Sequence, residues 1–377
     1  MLNAKDYLDF LIGRGINFYT GVPDSLLKDF CACIQENISD THHIKAANEG
    51  GAVGLAIGAH LGTGTLPAVY LQNSGVGNLV NPLLSLASPK IYSIPMILFV
   101  GWRGKPGTKD EPQHEHQGEI TTELFQSMGI PQFLLSSDLK KAKQQTNDAI
   151  LKALTISAPI AILVTKGLFE AHTAPLKENK KVLSREDAII TVAQAIEKQA
   201  CVISTTGMAS RELYEFRMRN KLGHKNDFLT VGGMGHANQI ALGIATSQRN
   251  RPVYCFDGDG AALMHLGSLA IIGQSEAQNF IHILLNNGAH ASVGGQPTVG
   301  FDINFCQIAK ACGYKHTNKV ETKDGILDAI FNLKKNQGPH FIEIQTKIGN
   351  RKDLGRPKST PLENKNGLME FLVGNFK

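Results

Sequence analysis

Short apolar runs rich in β-formers recur along the chain at 17–19, 44–47, 68–71, 96–100 and 160–164, and again at 202–205, 253–256, 280–285 and 341–345. Between them, apolar positions fall at helical spacing over 4–13, 25–36, 52–61, 139–154, 186–198, 238–246 and 323–335. Strands separated by helix-length segments predict parallel sheets in an α/β fold. The alternation breaks once, at EAHTAPLKENKKVLS (170–184), which is polar, contains a proline and has no strand signal. This segment is the expected linker, with Ser184 capping the next helix and Asp187 at its third position. The reading is therefore two doubly wound parallel-sheet domains, 1–169 and 185–377.

The halves echo one another. Asn48-Glu49 opens a helix with glycines at 50, 54, 58 and 62, and Gly232-Gly233-Met234-Gly235 opens one carrying Ala237, Ala241, Gly243 and Ala245. Such small-residue stripes let another backbone approach closely, between domains or subunits, with a crowded core as the other reading. The length of 377 residues agrees with two or three domains at roughly 100–200 residues each. Net charge is only 38 − 33 = +5 and no Lys/Arg block stands out, so a nucleic-acid partner is not expected. Six cysteines without a CxxC pair suggest reduced, buried thiols. The N-terminus lacks a signal-peptide core, and the longest apolar run, around 94–102, is far below the ~20 residues of a membrane span. A soluble cytoplasmic protein with no membrane partner is expected.

The sharpest chemical signal is Val253-Tyr-Cys-Phe-Asp-Gly258-Asp259-Gly260, followed after a helix-length segment by Leu284-Leu-Asn286-Asn287-Gly288. Both tips fall at the carboxyl ends of neighbouring parallel strands, where open α/β sheets bind ligands. The glycines allow backbone to approach a phosphate, and a helix start supplies N–H donors. The Asp259 carboxylate, the Asn287 amide oxygen and the Ala289 carbonyl make a hard-oxygen set suited to Mg²⁺. Read alone, Gly-Asp-Gly is a turn and Asn-Asn a loop cap.

With these motifs the chain resembles the thiamine-diphosphate-dependent decarboxylase superfamily. The likeness extends to Gly21-Val-Pro-Asp24-Ser25, Ala47-Asn-Glu49-Gly-Gly-Ala52, Gln72-Asn-Ser-Gly-Val-Gly-Asn78, Thr206-Gly207 and Gly232-Gly-Met234-Gly235. It implies a pyrimidine-binding domain followed by a diphosphate-binding domain, without the central third domain of most members. The compact layout, with His114-Glu-His116-Gln-Gly118 and Asn287-Gly-Ala-His290-Ala-Ser292-Val-Gly-Gly-Gln-Pro-Thr298, resembles the branch that acts on 3-phosphonopyruvate, with sulfopyruvate decarboxylases next to it.

The resemblance implies thiamine diphosphate and Mg²⁺ as cofactors and a small anionic 2-oxo acid as substrate. Glu49 is implied to share a proton with N1′ of the aminopyrimidine, helped by a cleft that raises its pKa. A structural reading of Glu49, as a favourable charge at a helix start, stays open. Met234 is implied to prop the bent cofactor, the Gly232 carbonyl to accept from its amino group, and Gly258, Gly260 and Ala261 to line the diphosphate. The long polar stretch from Arg103 to His116 reads as a functional loop, with His114 and His116 as proton-transfer candidates. Asp24, Ser25, His290 and Ser292 are expected on the substrate side, with 292–298 closing over it. Arg103, Arg351 and Arg356 are the cations named for the phosphonate. The architecture implies a homodimer or larger, its active site shared between subunits. Rival readings are a sulfopyruvate decarboxylase, a carboligase of acetolactate-synthase type, a metal hydrolase on the HxH pair, and a catalytically idle regulatory protein.

Overall fold

The computed structural model describes residues 1–172 and 179–374. The chain divides into two compact units, Met1–Leu176 and Lys177–Lys377, so the break falls inside the polar 170–184 segment. At one end of that segment Glu170 donates its N–H to the Leu2 carbonyl (2.9 Å) and His172 donates to the Asp29 carboxylate (3.1 Å). At its other end the Leu183 carbonyl accepts from Lys347 at 2.8 Å. Residues 173–178 of the expected linker lie outside the described residues.

The first unit holds strands β1 (Tyr19–Gly21), β2 (His43–Lys45), β3 (Ala68–Gln72), β4 (Met96–Gly101), β5 (Gln132–Leu134) and β6 (Pro159–Val164). They pair in the order β2-β1-β3-β4-β6-β5, every pair parallel. The second holds β7 (Cys201–Ser204), β8 (Asp227–Leu229), β9 (Val253–Gly258), β10 (Phe280–Asn286), β11 (His316–Val320) and β12 (His340–Gln345). Their order is β11-β12-β10-β9-β7-β8, again all parallel. Numbered from one to six within its own unit, each sheet reads 2-1-3-4-6-5. The weak internal echo in the sequence is thus a repeated topology, whose order reverses direction between the first and third strands.

The period-two alternation of each strand fills two cores per unit. Along β4, Ile97 and Phe99 enter one core while Met96, Leu98 and Val100 enter the other. In the second unit Tyr254 and Phe256 of β9 oppose Val253 and Cys255 in the same way. Burial on both faces explains why these strands read as continuous apolar runs. Each large side chain contributes about 1.5–3 kcal/mol.

Helix starts follow their caps. Asn3 accepts from Lys5 and Asp6 ahead of helix Ala4–Gly13, and Ser184 accepts from Asp187 ahead of helix Arg185–Ala195, as expected. The glycine stripe of helix Glu49–Thr63 is not core filler: a Cβ at Gly54, Gly58 or Gly62 would meet nothing within 4 Å in the described structure. The same holds for Gly243 of helix Ala237–Ser247, so the crowded-core reading fails at these positions.

Other expectations needed correction. Strands β5, β8 and β11 went unread; each lies at a sheet edge, β5 and β8 with only three residues and β11 polar and partly exposed. The expected helix 25–36 begins only at Lys28, because Asp24 holds the Leu26 and Leu27 N–H groups in a turn. The expected loop from Arg103 to His116 ends early, since Pro112 opens helix Pro112–Ser127, a position where its missing N–H costs nothing. All six cysteines are free, four buried and two half-buried. Among the described residues no helix is long and apolar enough to cross a membrane.

Candidate active site

In the second unit the crevice between the first and third strands of the sheet lies beyond the ends of β7 and β9, which is where such sheets bind ligands. A pocket of ≈ 560 Å³ opens there. The expected residues Met234, Gly258, Asp259, Gly260, Ala261, Asn287, Ala289, His290 and Ser292 all line it, joined by Arg185, Thr205, Thr206, Met208 and Asp257. Gly232 is not among the lining residues.

Strand β9 delivers Asp259 to the first position of the short helix Asp259–Met264, and the register Leu285↔Gly258 sets the Asn286-Asn287 tip beside it. Asp259 is 3% exposed and accepts a short hydrogen bond from the Thr298 hydroxyl. Burial pushes its carboxyl up to about 6, against the pull of Thr298 and nearby backbone N–H groups. The two asparagines divide their work. Asn286 donates to the Gly300 carbonyl (2.7 Å) and Glu343 (2.8 Å), bracing the strand end. Asn287 lines the pocket, its side-chain oxygen accepting from the Ala289 N–H at 3.0 Å. Gly260 has to be glycine: a Cβ there would sit 2.9 Å from the His290 ring.

The loop expected to close as a lid is instead folded into a hairpin. Ala289 bridges Pro297, the His290 N–H donates to the Gln296 carbonyl (2.8 Å), and Thr298 returns to Asp259. Gly288, Gly294 and Gly295 take the positive φ values this path requires.

In the first unit Glu49 opens helix Glu49–Thr63 behind the Asn48 cap and is 5% exposed. Asn78 donates to its Oε2 at 2.7 Å, and Gly75 lies so close that a Cβ there would fall 2.2 Å from Oε1. The Asn73–Asn78 motif therefore builds the wall of the Glu49 site, a role the sequence reading did not assign. Burial raises the Glu49 carboxyl above its ordinary range, partly offset by Asn78.

Asp24 is fully buried at the end of β1. Its Oδ2 accepts from Leu26 (2.9 Å) and Leu27 (3.3 Å), while Oδ1 is buried with no partner among the described residues. Burial pushes this carboxyl up to about 6. Ionising it costs native stability, so the penalty grows as pH rises from about 4 to 6 and is absent below the ordinary carboxylate pKa. We expect Asp24→Asn to stabilise the cofactor-free protein at pH 7.5 by on the order of 3 kcal/mol and to give no gain near pH 4. Thermal melts of both proteins across that range test this.

Arg103 does not point a free charge at a substrate. Its guanidinium forks onto Asp110, through Nε at 2.8 Å and a short Nη2 contact, and Nη1 donates to Ser25 at 2.8 Å. Asp110, held well below the usual carboxylate range by Arg103 and two backbone N–H groups, was missed because nothing local in the polar stretch marks it. The two histidines separate. His114 is half-buried, its Nδ1 without a partner among the described residues, and burial lowers its pKa. His116 is two positions on along the same helix, 84% exposed and 3.8 Å from Glu119. Residues i and i+2 of a helix face different ways, which removes the HxH zinc reading.

The C-terminal cations also differ from expectation. Arg351 is bound by Glu186 (3.0 Å), Glu215 and Asp353 (3.1 Å), and Arg356 is exposed. Neither lines the pocket. The metal-capable group found among the described residues, Cys255, Asp257 and His282, is fully buried. There Asp257 is already bonded by Asn238 (3.1 Å) and His282 (3.3 Å), so it serves as a core network.

Residues 3–127 match the thiamine pyrophosphate enzyme N-terminal TPP-binding domain, and 204–344 the corresponding C-terminal TPP-binding domain. A phosphonopyruvate decarboxylase of Streptomyces hygroscopicus is 36% identical, covering 98% of this chain and 94% of its own length. One from Streptomyces viridochromogenes is 34% identical over 96% and 93%. A sulfopyruvate decarboxylase of Methanosarcina acetivorans is 29% identical over 93% of each. Each half thus falls in a thiamine pyrophosphate-binding domain and nearly the whole length aligns with phosphonopyruvate decarboxylases, so the chain belongs to the phosphonopyruvate decarboxylase family of thiamine pyrophosphate enzymes.

Proposed function

We propose that this protein converts 3-phosphonopyruvate and a proton to phosphonoacetaldehyde and CO₂, with thiamine diphosphate and Mg²⁺, as a step of phosphonate biosynthesis in the cytoplasm. The observation that carries the reading is a buried Glu49, its carboxyl raised by burial, in one unit together with a hard-oxygen, glycine-lined phosphate turn at Asp259 in the other. The choice of substrate is supported by the near full-length likeness to phosphonopyruvate decarboxylases.

The residues fit the cofactor. Asp259, Asn287 and the Ala289 carbonyl offer oxygen ligands of the kind Mg²⁺ takes, and Gly258, Gly260 and Ala261 let backbone reach a diphosphate. Bound thiamine diphosphate supplies an electron sink for the pair left when the carboxylate departs. Glu49 holds and returns a proton at the pyrimidine ring, helped by the burial that raises its carboxyl above the ordinary range. Asp24 and His114, each with a buried polar atom lacking a partner, are the proposed proton carriers on the substrate side. Met234 would prop the cofactor from the pocket wall, and the Gly232 carbonyl would accept from its amino group. His116 is exposed, Arg351 is held by carboxylates and Arg356 is exposed, so none of the three lines the pocket of the second unit; Arg103 and Ser25 form the rim beside Asp24.

Protein stripped of cofactor and metal should be inactive with phosphonopyruvate and regain CO₂ and aldehyde release only when both are restored. Its kcat/KM should exceed that for sulfopyruvate at least about tenfold, a discrimination worth ~1.4 kcal/mol. Equal or better use of sulfopyruvate would transfer the assignment to the sulfonate. Carboligation without free aldehyde would exclude it.

We also propose a homodimer at least, in which Glu49 of one subunit serves the Asp259 site of another. The exposed glycine faces of helices Glu49–Thr63 and Ala237–Ser247 support close subunit contact. Inactive Glu49→Gln and Asp259→Asn proteins, unfolded together and reassembled, should then recover part of the wild-type activity. No recovery in verified mixed oligomers would place both residues within one subunit's site.

A further inference from the structure

One side chain of the cofactor pocket has no part in the family likeness quoted above. Arg185 is 8% exposed, stands at the first position of helix Arg185–Ala195, and lines the pocket that holds Asp259 and Asn287. It is the only lysine or arginine among the lining residues, whereas two carboxylates, Asp257 and Asp259, share the same wall. An anionic ligand entering such a pocket needs a positive charge beyond one divalent ion, because the ion's charge is already partly spent on Asp259.

The geometry leaves Arg185 able to provide it. Nε and Nη2 donate to the two oxygens of Glu212 at 2.8 and 2.9 Å, and Nη1 has no hydrogen-bond partner among the described residues. Glu212 is 1% exposed, so it aims the fork and keeps the guanidinium in one orientation. A buried ion pair is usually no more stabilising than an apolar pair of similar volume. Its retention in a pocket wall is explained if the guanidinium binds a ligand.

Resting on the thiamine diphosphate reading above, we propose that Arg185 is a cofactor-binding residue that recognises the diphosphate, oriented for it by Glu212. This charge makes the pocket prefer a diphosphate over a monophosphate. The terminal group of the longer ligand adds the charge that a guanidinium N–H answers.

The test measures binding of thiamine diphosphate and of thiamine monophosphate, each with Mg²⁺, to cofactor-stripped full-length protein by calorimetry. The R185M/E212L protein removes both charges, so no carboxylate is left buried alone. We expect its Kd for the diphosphate to rise about 10–100-fold, the range of one charged hydrogen bond, with a much smaller change for the monophosphate. E212Q keeps the Arg185 charge and one acceptor for its fork, so its diphosphate affinity should fall much less than that of R185M/E212L. If R185M/E212L does not fold, E212Q and R185Q decide the matter, with the neutral glutamine losing diphosphate preference and E212Q keeping it.

An unchanged preference in R185M/E212L or R185Q, or a loss in E212Q as large as in the arginine variants, overturns the inference and makes the pair structural. Those outcomes leave wild-type binding of thiamine diphosphate intact and so do not touch the functional reading. Failure of the wild-type protein to bind thiamine diphosphate overturns both.

Discussion

Glu49→Gln should bind thiamine diphosphate with close to wild-type affinity and lose about 10²–10⁴-fold in kcat, the range typical of a missing general acid–base group. The substitution is nearly isosteric and keeps an acceptor for the Asn78 amide, which donates to Glu49 at 2.7 Å. What it removes is the titratable proton. Burial holds the Glu49 carboxyl above its ordinary range, which favours keeping a proton that the carboxyl can also release, whereas an amide can do neither. The variant should also be no less stable than wild type without cofactor, because a buried carboxyl that resists ionisation costs native stability as pH rises. Calorimetric binding, turnover and thermal melts on the same preparations separate the cases. Turnover within tenfold of wild type would remove Glu49 from the chemistry and return it to a helix-start charge.

Asp259→Asn should have the opposite signature, failing in cofactor retention before chemistry. The wild-type carboxylate is 3% exposed and sits under Thr298, with its pKa pushed up to about 6 by burial. Without metal that group destabilises the native state increasingly as pH climbs from about 4 to 6. The amide lacks the penalty, so the cofactor-free variant should melt at or above the wild-type temperature at pH 7.5. With Mg²⁺ and thiamine diphosphate present the ranking should invert. A ligand at 100 times its Kd stabilises by about 2.7 kcal/mol, and a variant that no longer holds the metal forfeits most of that. Melting curves with and without cofactor and metal test both halves. An equal cofactor-induced shift in the two proteins would remove Asp259 from the metal site.

Several contacts around Asp259 depend on chain far from it in sequence. Thr298 closes over the carboxylate from 39 positions on, and Gly300 is so near that a Cβ would fall 2.7 Å from Asp259 Oδ2. Around Glu49 the same holds for Asn78, 29 residues away. The motifs containing these residues were recognisable and Asn287 was placed on the pocket side, but that Asn286 braces the strand through Gly300 and Glu343 could not be read from the sequence. That depends on which side of the β10 tip each side chain leaves. His114 and His116 show a similar limit. Read as a loop they were equivalent, and the helix beginning at Pro112 turned one inward and the other to solvent.

Ion pairs were the hardest feature to foresee. Arg351 looked like a substrate cation, yet it binds Glu186 across 165 residues, and Arg103 is taken up by Asp110 seven residues away. Arg185, unmarked in sequence, lines the pocket although it too is paired, with the buried Glu212. Charge composition reports how many cations exist, and only through-space distance decides which are already neutralised.

The sequence by itself determined the alternation of strands and helices, the two-domain plan, and the two turns that carry Glu49 and Asp259. These are encoded locally, by side-chain periodicity and by glycines where a strand gives way to a helix. Edge strands, the hairpin path of 287–298, the burial that raises Glu49, Asp24 and Asp259, and the partner of every arginine were decided by the tertiary structure alone. The reason is physical: desolvation and ion pairing depend on what surrounds a charged group in space, and those surroundings are drawn from segments far apart in the chain.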